Sequence, residues 1–260
     1  MKKKSLYLIA TLLLNSKNIL TMDPEVTQRI GKQIWQNESS GREEDLTFWS
    51  KNESHPSLGI GHNIWLPKGH EQKNTQFPLL CQYLKKNNVA LPVWLEESLP
   101  TGAPWKNRED FYNDQARLKE LRQILVATVA LQAQFMVDRL QHTIPKIINT
   151  APEDKREKIA QRIDLMLASP LGTYILVDYL NFKGAGLNLP DQSKGRPWGL
   201  LSVLQDMPDD LNQENVTKAF TLSAAKKLII LIEDSEPEYR RIIFFGGWMA
   251  RLNTYTKKNF

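Results

Sequence analysis

Apolar side chains spaced four residues apart form the first clear pattern in the chain. They follow a helix-start signal and comprise Val26, Ile30 and Ile34. Asp23 is a good N-cap, and Pro24 suits the first helical turn. The pattern predicts an amphipathic helix in which Glu38 is the next member of the apolar series. We expect that carboxyl to face the protein body, where partial desolvation favours its protonated form.

Side chains alternate in character from Ser57 to Trp65, and this alternation predicts an extended strand. One face would carry Leu58, Ile60, His62 and Ile64. The other face would be nearly bare, with Ser57, Gly59, Gly61 and Asn63. Glycines on one face either leave the backbone accessible to a ligand or mark the close approach of another part of the fold.

The rest of the chain is predicted to be helical. Prolines at positions 92, 100 and 104 divide residues 88–106 into short helices and loops. Helical spacing from Asp114 to Ile148 predicts two helices, with Pro145 ending or kinking the second, and a polar break at 151–158 precedes further helices. The fold class predicted is α+β, mainly α, in a single domain over residues 22–260. Its parts are a β-hairpin lobe at about 46–66, an insertion at about 67–113 and a helical lobe at about 114–256.

Composition is that of an ordinary globular protein, with 41% hydrophobic and 24% charged residues among 260. The net charge of +5 would favour acidic partners, but four of the lysines lie in the first 21 residues, which contain no acidic residue. Without that segment the net charge is +5 − 4 = +1. We therefore expect no nucleic-acid partner.

The first 21 residues have the pattern of a signal peptide. Lys2, Lys3 and Lys4 precede an apolar run from Leu6 to Leu14, which is too short to span a bilayer comfortably. This pattern predicts export to the periplasm or the exterior of a bacterium, without a stable membrane span. Because no clear cleavage site follows, a retained N-terminal helix or a true start at Met22 stays open.

Cysteine and histidine usage argues against a metal site. Cys81 is the only cysteine and lies in an apolar helical stretch, where a buried, inert thiol is expected. The histidines are scattered, at positions 55, 62, 70 and 142, without paired spacing. We predict no metal and no other cofactor. His62 shares a face with apolar residues, so we interpret it as a core or hydrogen-bonded structural histidine.

Several short segments carry a resemblance to a known superfamily. Ile34-Trp35-Gln36-Asn37-Glu38, followed by Pro56-Ser57-Leu58-Gly59-Ile60-Gly61-His62, resembles the phage-type lysozymes, or endolysins. Asp178–Gly186 is similar to a helix end of that lysozyme-like superfamily, and Gly247–Asn253 to its terminal glycine-plus-arginine helix. Over residues 24–256 the chain also resembles a group of exported bacterial proteins with a lysozyme-like domain.

The resemblance implies site residues as well as a fold. Glu38 takes the position of the family's general acid, and Ser57 that of a threonine that holds water or sugar. The family's usual aspartate is replaced by Lys51, so Glu53 is the nearest carboxylate, with Asp45 and other acids further back. A structural hydroxyl for Ser57 and a simple loop charge for Glu53 are the alternative interpretations.

The implied activity is cleavage of β-1,4 glycosidic bonds in peptidoglycan or a related amino-sugar polymer. With Glu53 opposite Glu38, the spacing of the two carboxyls would decide between inversion and retention of configuration. If Glu38 acts alone, the chain would resemble a lytic transglycosylase. The run Glu38-Ser39-Ser40-Gly41 also resembles a motif of those enzymes. A catalytically inactive glycan- or protein-binding module stays open, as does capture of a partner by the 67–113 insertion.

A second group of candidate residues lies in the segment Asn181 to Leu200. In lysozyme-like folds this region borders the substrate groove, so the resemblance makes Asn181 and Lys183 candidate donors to acetamido or peptide-stem groups. Trp198 is a candidate for stacking on a sugar ring. The alternatives are a helix C-cap for Asn181 and a core position for Trp198, with Pro197-Trp198 opening the next helix. We expect a monomer.

Overall fold

The computed structural model describes residues 22–72, 75–187, 192–234, 238–257 and 260. The signal-peptide prediction therefore lies outside the described residues. The chain divides into two compact units, an N-terminal unit, Met22–Met136, and a C-terminal unit that contains Val137–Phe260. The division falls inside one helix, and each unit is described by itself.

The first helix is the predicted one. α1 spans Pro24–Ser39, and the Asp23 carboxylate caps it by accepting a hydrogen bond from the Glu25 amide. Ile30 and Ile34 are fully buried, which confirms the apolar stripe. The helix ends because Ser40 adopts a left-handed conformation, with φ of 55°, and its amide bonds back to the Gln36 carbonyl.

A small antiparallel sheet follows α1 and a 3₁₀ turn at Glu44–Leu46. Its strands are β1 (Thr47–Phe48), β2 (Ser57–Leu58) and β3 (Asn63–Ile64), in the order β1-β2-β3. The hairpin lobe is thus present, but the continuous strand predicted over residues 57–65 is wrong. Residues 59–62 form a turn, because Gly59 and His62 have φ of 76° and 49°, and the His62 amide bonds to the Gly59 carbonyl.

Short helices and loops make up the predicted insertion. They are α2 (Phe77–Lys86), α3 (Val93–Ser98) and α4 (Arg108–Asn113). Aromatic rings hold this part together, since Trp105 contacts Trp65, Trp94 and Phe111 edge-on. The insertion therefore supplies core to the N-terminal unit rather than only surface.

Two successive helices follow, as the spacing predicted. α5 spans Gln115–Ala127 and α6 spans Val129–Thr150, with Asp114 capping α5 through the Arg117 amide. Pro145 lies inside α6, so its predicted role in ending the helix is wrong.

The C-terminal unit contains the remaining elements. They are the end of α6, a 3₁₀ turn at Glu153–Lys155, α7 (Arg156–Leu167), α8 (Pro170–Lys183), β4 (Gln192–Ser193), β5 (Arg196–Pro197), α9 (Leu200–Asp206), α10 (Val216–Asp234), α11 (Glu238–Asn253) and a 3₁₀ turn at Thr254–Thr256. α8 is the central helix of the unit, because its residues from Gly172 to Leu180 are all buried.

Two local expectations in this unit are wrong. Asn181 is not a C-cap, since α8 continues through Lys183 and is capped by Gly184, with φ of 75°. Pro197 and Trp198 do not open α9, because Pro197 lies in β5 and the N-cap is Gly199. Gly199 is needed there since a Cβ on it would stand 2.4 Å from the Gly186 backbone.

Helices account for 65% of the structure and strands for 5%, which confirms a mainly helical α+β class. Within the described ranges no single helix is long and apolar enough to cross a membrane. One bent pair of helical segments, Glu153–Leu167 with Pro170–Lys183, meets the length and composition criteria together.

Candidate active site around Glu38

Glu38 occupies the last turn of α1, and its side chain is 16% exposed. The chain beyond the helix is fixed by the Trp35 indole, whose Nε1 donates to the Arg42 carbonyl at 3.1 Å. The carboxyl is thus partly desolvated without being sealed from solvent, which is the environment predicted for it.

His62 faces this carboxyl. Its Nδ1 lies 3.7 Å from Oε2 of Glu38, and its side chain is 24% exposed. The distance is within ion-pair range but longer than a direct hydrogen bond. From the sequence, His62 was expected to have only a structural role, and its contact with Glu38 was not predicted.

The His62 ring is held on two further sides. It stacks on Phe48, with ring centroids 6.0 Å apart and an interplanar angle of 12°. Its Nε2 lies 3.3 Å from the Asp45 carbonyl oxygen. Because a carbonyl can only accept, this contact requires a hydrogen on Nε2, which both the imidazolium and one neutral tautomer carry. In that neutral tautomer the lone pair of Nδ1 faces the Glu38 carboxyl.

A buried glutamine shapes the turn that carries His62. Oε1 of Gln132 accepts from the Ile60 amide at 3.0 Å, and its Nε2 donates to the Leu125 carbonyl at 2.6 Å. A Cβ added to Gly59 would stand 2.5 Å from the same Oε1. Of the two interpretations of the glycines, close approach is therefore confirmed for Gly59. The sequence signal for Gln132 was a polar residue within an apolar helical series.

Glu53 lies in the loop between β1 and β2 with its side chain exposed. Its backbone carbonyl accepts from the Trp49 indole at 2.9 Å, which ties the loop to a buried ring. Asp45 is half-buried, and its carboxylate is bound to the Arg42 guanidinium, with 2.7 Å between Nε and Oδ2. Glu43 and Glu44 are exposed. Glu53 is therefore in solvent, whereas Asp45 is nearly as buried as Glu38 but is already paired with Arg42.

Ser57 lies in the central strand of the sheet and is 8% exposed. It pairs with Phe48 on one side and with Ile64 on the other. The structure thus places Ser57 in the same small sheet as the His62 turn, and its role in holding water stays a prediction.

Asn181, Lys183 and Trp198 belong to the C-terminal unit, and all three are half-buried. The Lys183 ammonium lies 3.5 Å from the Trp248 ring centroid and 4.1 Å from that of Phe182. These cation–π contacts hold Lys183 against the protein's own aromatic rings. Trp198 accepts a hydrogen bond at its carbonyl from the Tyr179 hydroxyl, at 2.8 Å.

A buried ion pair joins the two C-terminal segments that resemble the superfamily. Arg251 binds Asp178 through Nε at 2.8 Å and NH2 at 2.9 Å, and the Tyr255 hydroxyl donates to Asp178 Oδ2 at 2.6 Å. Burial, together with the adjacent Asp178 charge, raises the pKa of Tyr255 well above its ordinary value. This cluster joins α8 to α11 and gives Asp178 and Arg251 a structural role.

Comparison with protein-family models, with curated proteins and with solved structures finds no match to this chain. The short segments that resemble the lysozyme-like superfamily and the geometry around Glu38 are therefore the features that bear on function.

Proposed function

We propose that the chain cleaves β-1,4 glycosidic bonds in peptidoglycan or a related amino-sugar polymer, outside the cytoplasm, with Glu38 as the general acid. Glu38 donates its proton to the leaving oxygen. The resemblance supplies the other roles in this proposal: Ser57 positions the attacking water, and Asn181, Lys183 and Trp198 contact the polymer.

The observation that carries the proposal is the position of Glu38, at a helix end, 16% exposed and facing the His62 ring. A general acid must lie close to the leaving oxygen, and a carboxyl at a helix end that is only partly covered can do so. A glutamate that only solubilised the helix end would have no reason to be mostly covered. The partly open position leaves the carboxyl within reach of a glycosidic oxygen.

The exposed position of Glu53 favours a second candidate reaction. A carboxylate in solvent is a weak partner for a two-carboxylate hydrolysis, which needs both groups flanking the scissile bond. Glu38 acting alone, as acid and then as base, would make the chain a lytic transglycosylase. The two reactions differ in product, because transglycosylation leaves an anhydro-sugar end and hydrolysis leaves a reducing end.

Digestion of purified peptidoglycan by the parent, Glu38→Gln and Glu53→Gln tests the proposal. Glutamine keeps the size of the side chain and removes its proton chemistry, so Glu38→Gln should lower the rate at least about 100-fold. Glu53→Gln is the matched control: unchanged activity with anhydro ends favours transglycosylation, whereas loss of activity with reducing ends favours hydrolysis. Mass spectrometry identifies the ends.

Two results would count against the proposal. Equal activity of Glu38→Gln and the parent would remove Glu38 from the mechanism. Binding of peptidoglycan by the parent without any cleavage would instead support the inactive glycan-binding module.

A further inference from the structure

We propose that His62 is a positioning residue for Glu38 that shares and returns its proton, so that the acid of the reaction is the Glu38–His62 pair. This inference rests on the proposed function. It starts from the distance of 3.7 Å between Nδ1 of His62 and Oε2 of Glu38. Three constraints fix the His62 ring: its backbone conformation, its stacking on Phe48 and its contact with the Asp45 carbonyl.

The backbone of His62 is the first constraint. Its φ of 49° lies in the left-handed region, which residues other than glycine adopt uncommonly, although histidine, asparagine and aspartate do so more often than most. Glycine would fit the turn more easily, so the turn alone does not explain a histidine. Strain of this kind persists where the surroundings hold the residue, and here Phe48 and the Asp45 carbonyl hold the ring.

The groups around the His62 ring determine with which of them the ring can exchange a proton. Glu38 faces Nδ1 from α1, and the Asp45 carbonyl faces Nε2 from the 3₁₀ turn. The Asp45 carboxylate is bound to Arg42, so it is already compensated. The carboxyl of Glu38 is therefore the group placed to exchange a proton with Nδ1.

The proton balance is closed within the pair and the substrate. A proton moves from Nδ1 of the imidazolium to Oε2 of Glu38, and Glu38 passes it to the glycosidic oxygen as the C–O bond breaks. In hydrolysis, water adds its oxygen to the sugar carbon and releases one proton, which returns to the pair. In transglycosylation, a hydroxyl of the same sugar adds its oxygen to that carbon instead of water, and it releases the proton that returns to the pair. Neither route needs an oxidant or a further co-reactant.

The pair should hold its proton to higher pH than a lone carboxyl. The ordinary pKa of imidazole is about 6.5 and that of a glutamate carboxyl about 4.3. The activity should therefore decline only when the pair has lost its last proton. Without the imidazole, the alkaline limb of the pH–rate profile should move to lower pH.

The first test needs no activity. Nitrogen-15 NMR of the full chain at alkaline pH should show the neutral His62 ring with hydrogen on Nε2, and Glu38→Gln should shift the His62 ring signals while those of His142 stay in place. A ring with hydrogen on Nδ1, or one insensitive to Glu38→Gln, would overturn the inference. If the spectra are as expected but the parent cleaves no peptidoglycan, the proposed function is overturned and the proton-sharing pair stands.

The second test uses His62→Asn and His62→Gly, both of which tolerate a positive φ. Asparagine keeps a hydrogen-bonding atom near the position of Nδ1 but cannot take up a proton. On peptidoglycan we expect kcat about 10-fold lower or more, KM nearly unchanged, and an alkaline limb about one pH unit lower. His142→Asn, in the C-terminal unit, should behave as the parent. A parent-like pH profile for His62→Asn would mean that the ring is only structural.

Discussion

At the scale of single residues, the Asp178 carboxylate in the C-terminal unit places a charge in the protein interior. It is fully buried, where an unpaired charge would be costly. Two bonds from Arg251 and one from Tyr255 offset that cost. A buried pair of this kind adds little net stability compared with apolar packing, but removing one partner leaves the other charge uncompensated.

Asp178→Asn should therefore lower the free energy of unfolding by about 3 to 5 kcal/mol. Asparagine keeps the size of the side chain and removes the charge that balances Arg251. Urea denaturation followed by circular dichroism measures the change. Glu96→Gln is the control, because its exposed pair with Lys85 should contribute at most about 1 kcal/mol. A loss under about 1 kcal/mol for Asp178→Asn would show that Arg251 reaches solvent easily.

At the scale of elements, the placement of α1 decides where Glu38 lies. Gly31 lets α1 approach the start of α6 closely, since a Cβ on Gly31 would stand 2.8 Å from Cγ1 and 2.9 Å from the carbonyl oxygen of Val129. Ala133 lies on the same side, 3.2 Å from that Cβ. The glycine costs helix stability in isolation, and the close helix contact offsets it.

Two glycine-to-alanine variants should change stability in opposite directions. Gly31→Ala gains helix propensity but collides with the Val129 backbone, so we expect a net loss of about 1 to 3 kcal/mol. Gly246→Ala, in α11, meets no atom within 4 Å, so it should gain about 0.5 to 1 kcal/mol from helix propensity. Thermal unfolding compares them. A stabilised Gly31→Ala variant would mean that α1 shifts readily, and peptidoglycan cleavage would then report whether Glu38 shifts with it.

Local patterns predicted elements better than they predicted contacts. α1 and the α5–α6 succession follow from periodicity and caps, which are short-range signals. The prediction of a strand over 57–65 was wrong because the alternation of side chains does not reveal a turn formed by residues with positive φ. The Gln132 contacts and the Asp178–Arg251 pair join residues 72 and 73 positions apart, which no local pattern encodes. Helical periodicity and the resemblance both pointed to Glu38, whereas its contact with His62 came only from the structure.

At the scale of the whole molecule, burial raises the pKa of weakly acidic groups in both units. Burial raises the pKa of the Cys81 thiol, in the N-terminal unit, far above its ordinary 9.0. It likewise raises the pKa of Tyr179 and Tyr255, in the C-terminal unit, above their ordinary 10.0. The folded chain keeps these three protons at a pH at which the unfolded chain releases them.

Stability should therefore be insensitive to these groups below about pH 8.5 and should fall as pH rises beyond it, first through Cys81 and then, above about pH 10, through the tyrosines. The loss approaches about 1.4 kcal/mol per pH unit for each group. Urea denaturation between pH 7 and 11 at constant ionic strength measures it. Cys81→Ala costs stability at every pH through lost packing, but its curve should be flatter between pH 9 and 10 than that of the parent. Parallel curves for the two proteins would show that the thiol ionises within the folded chain, and burial would then not control its proton.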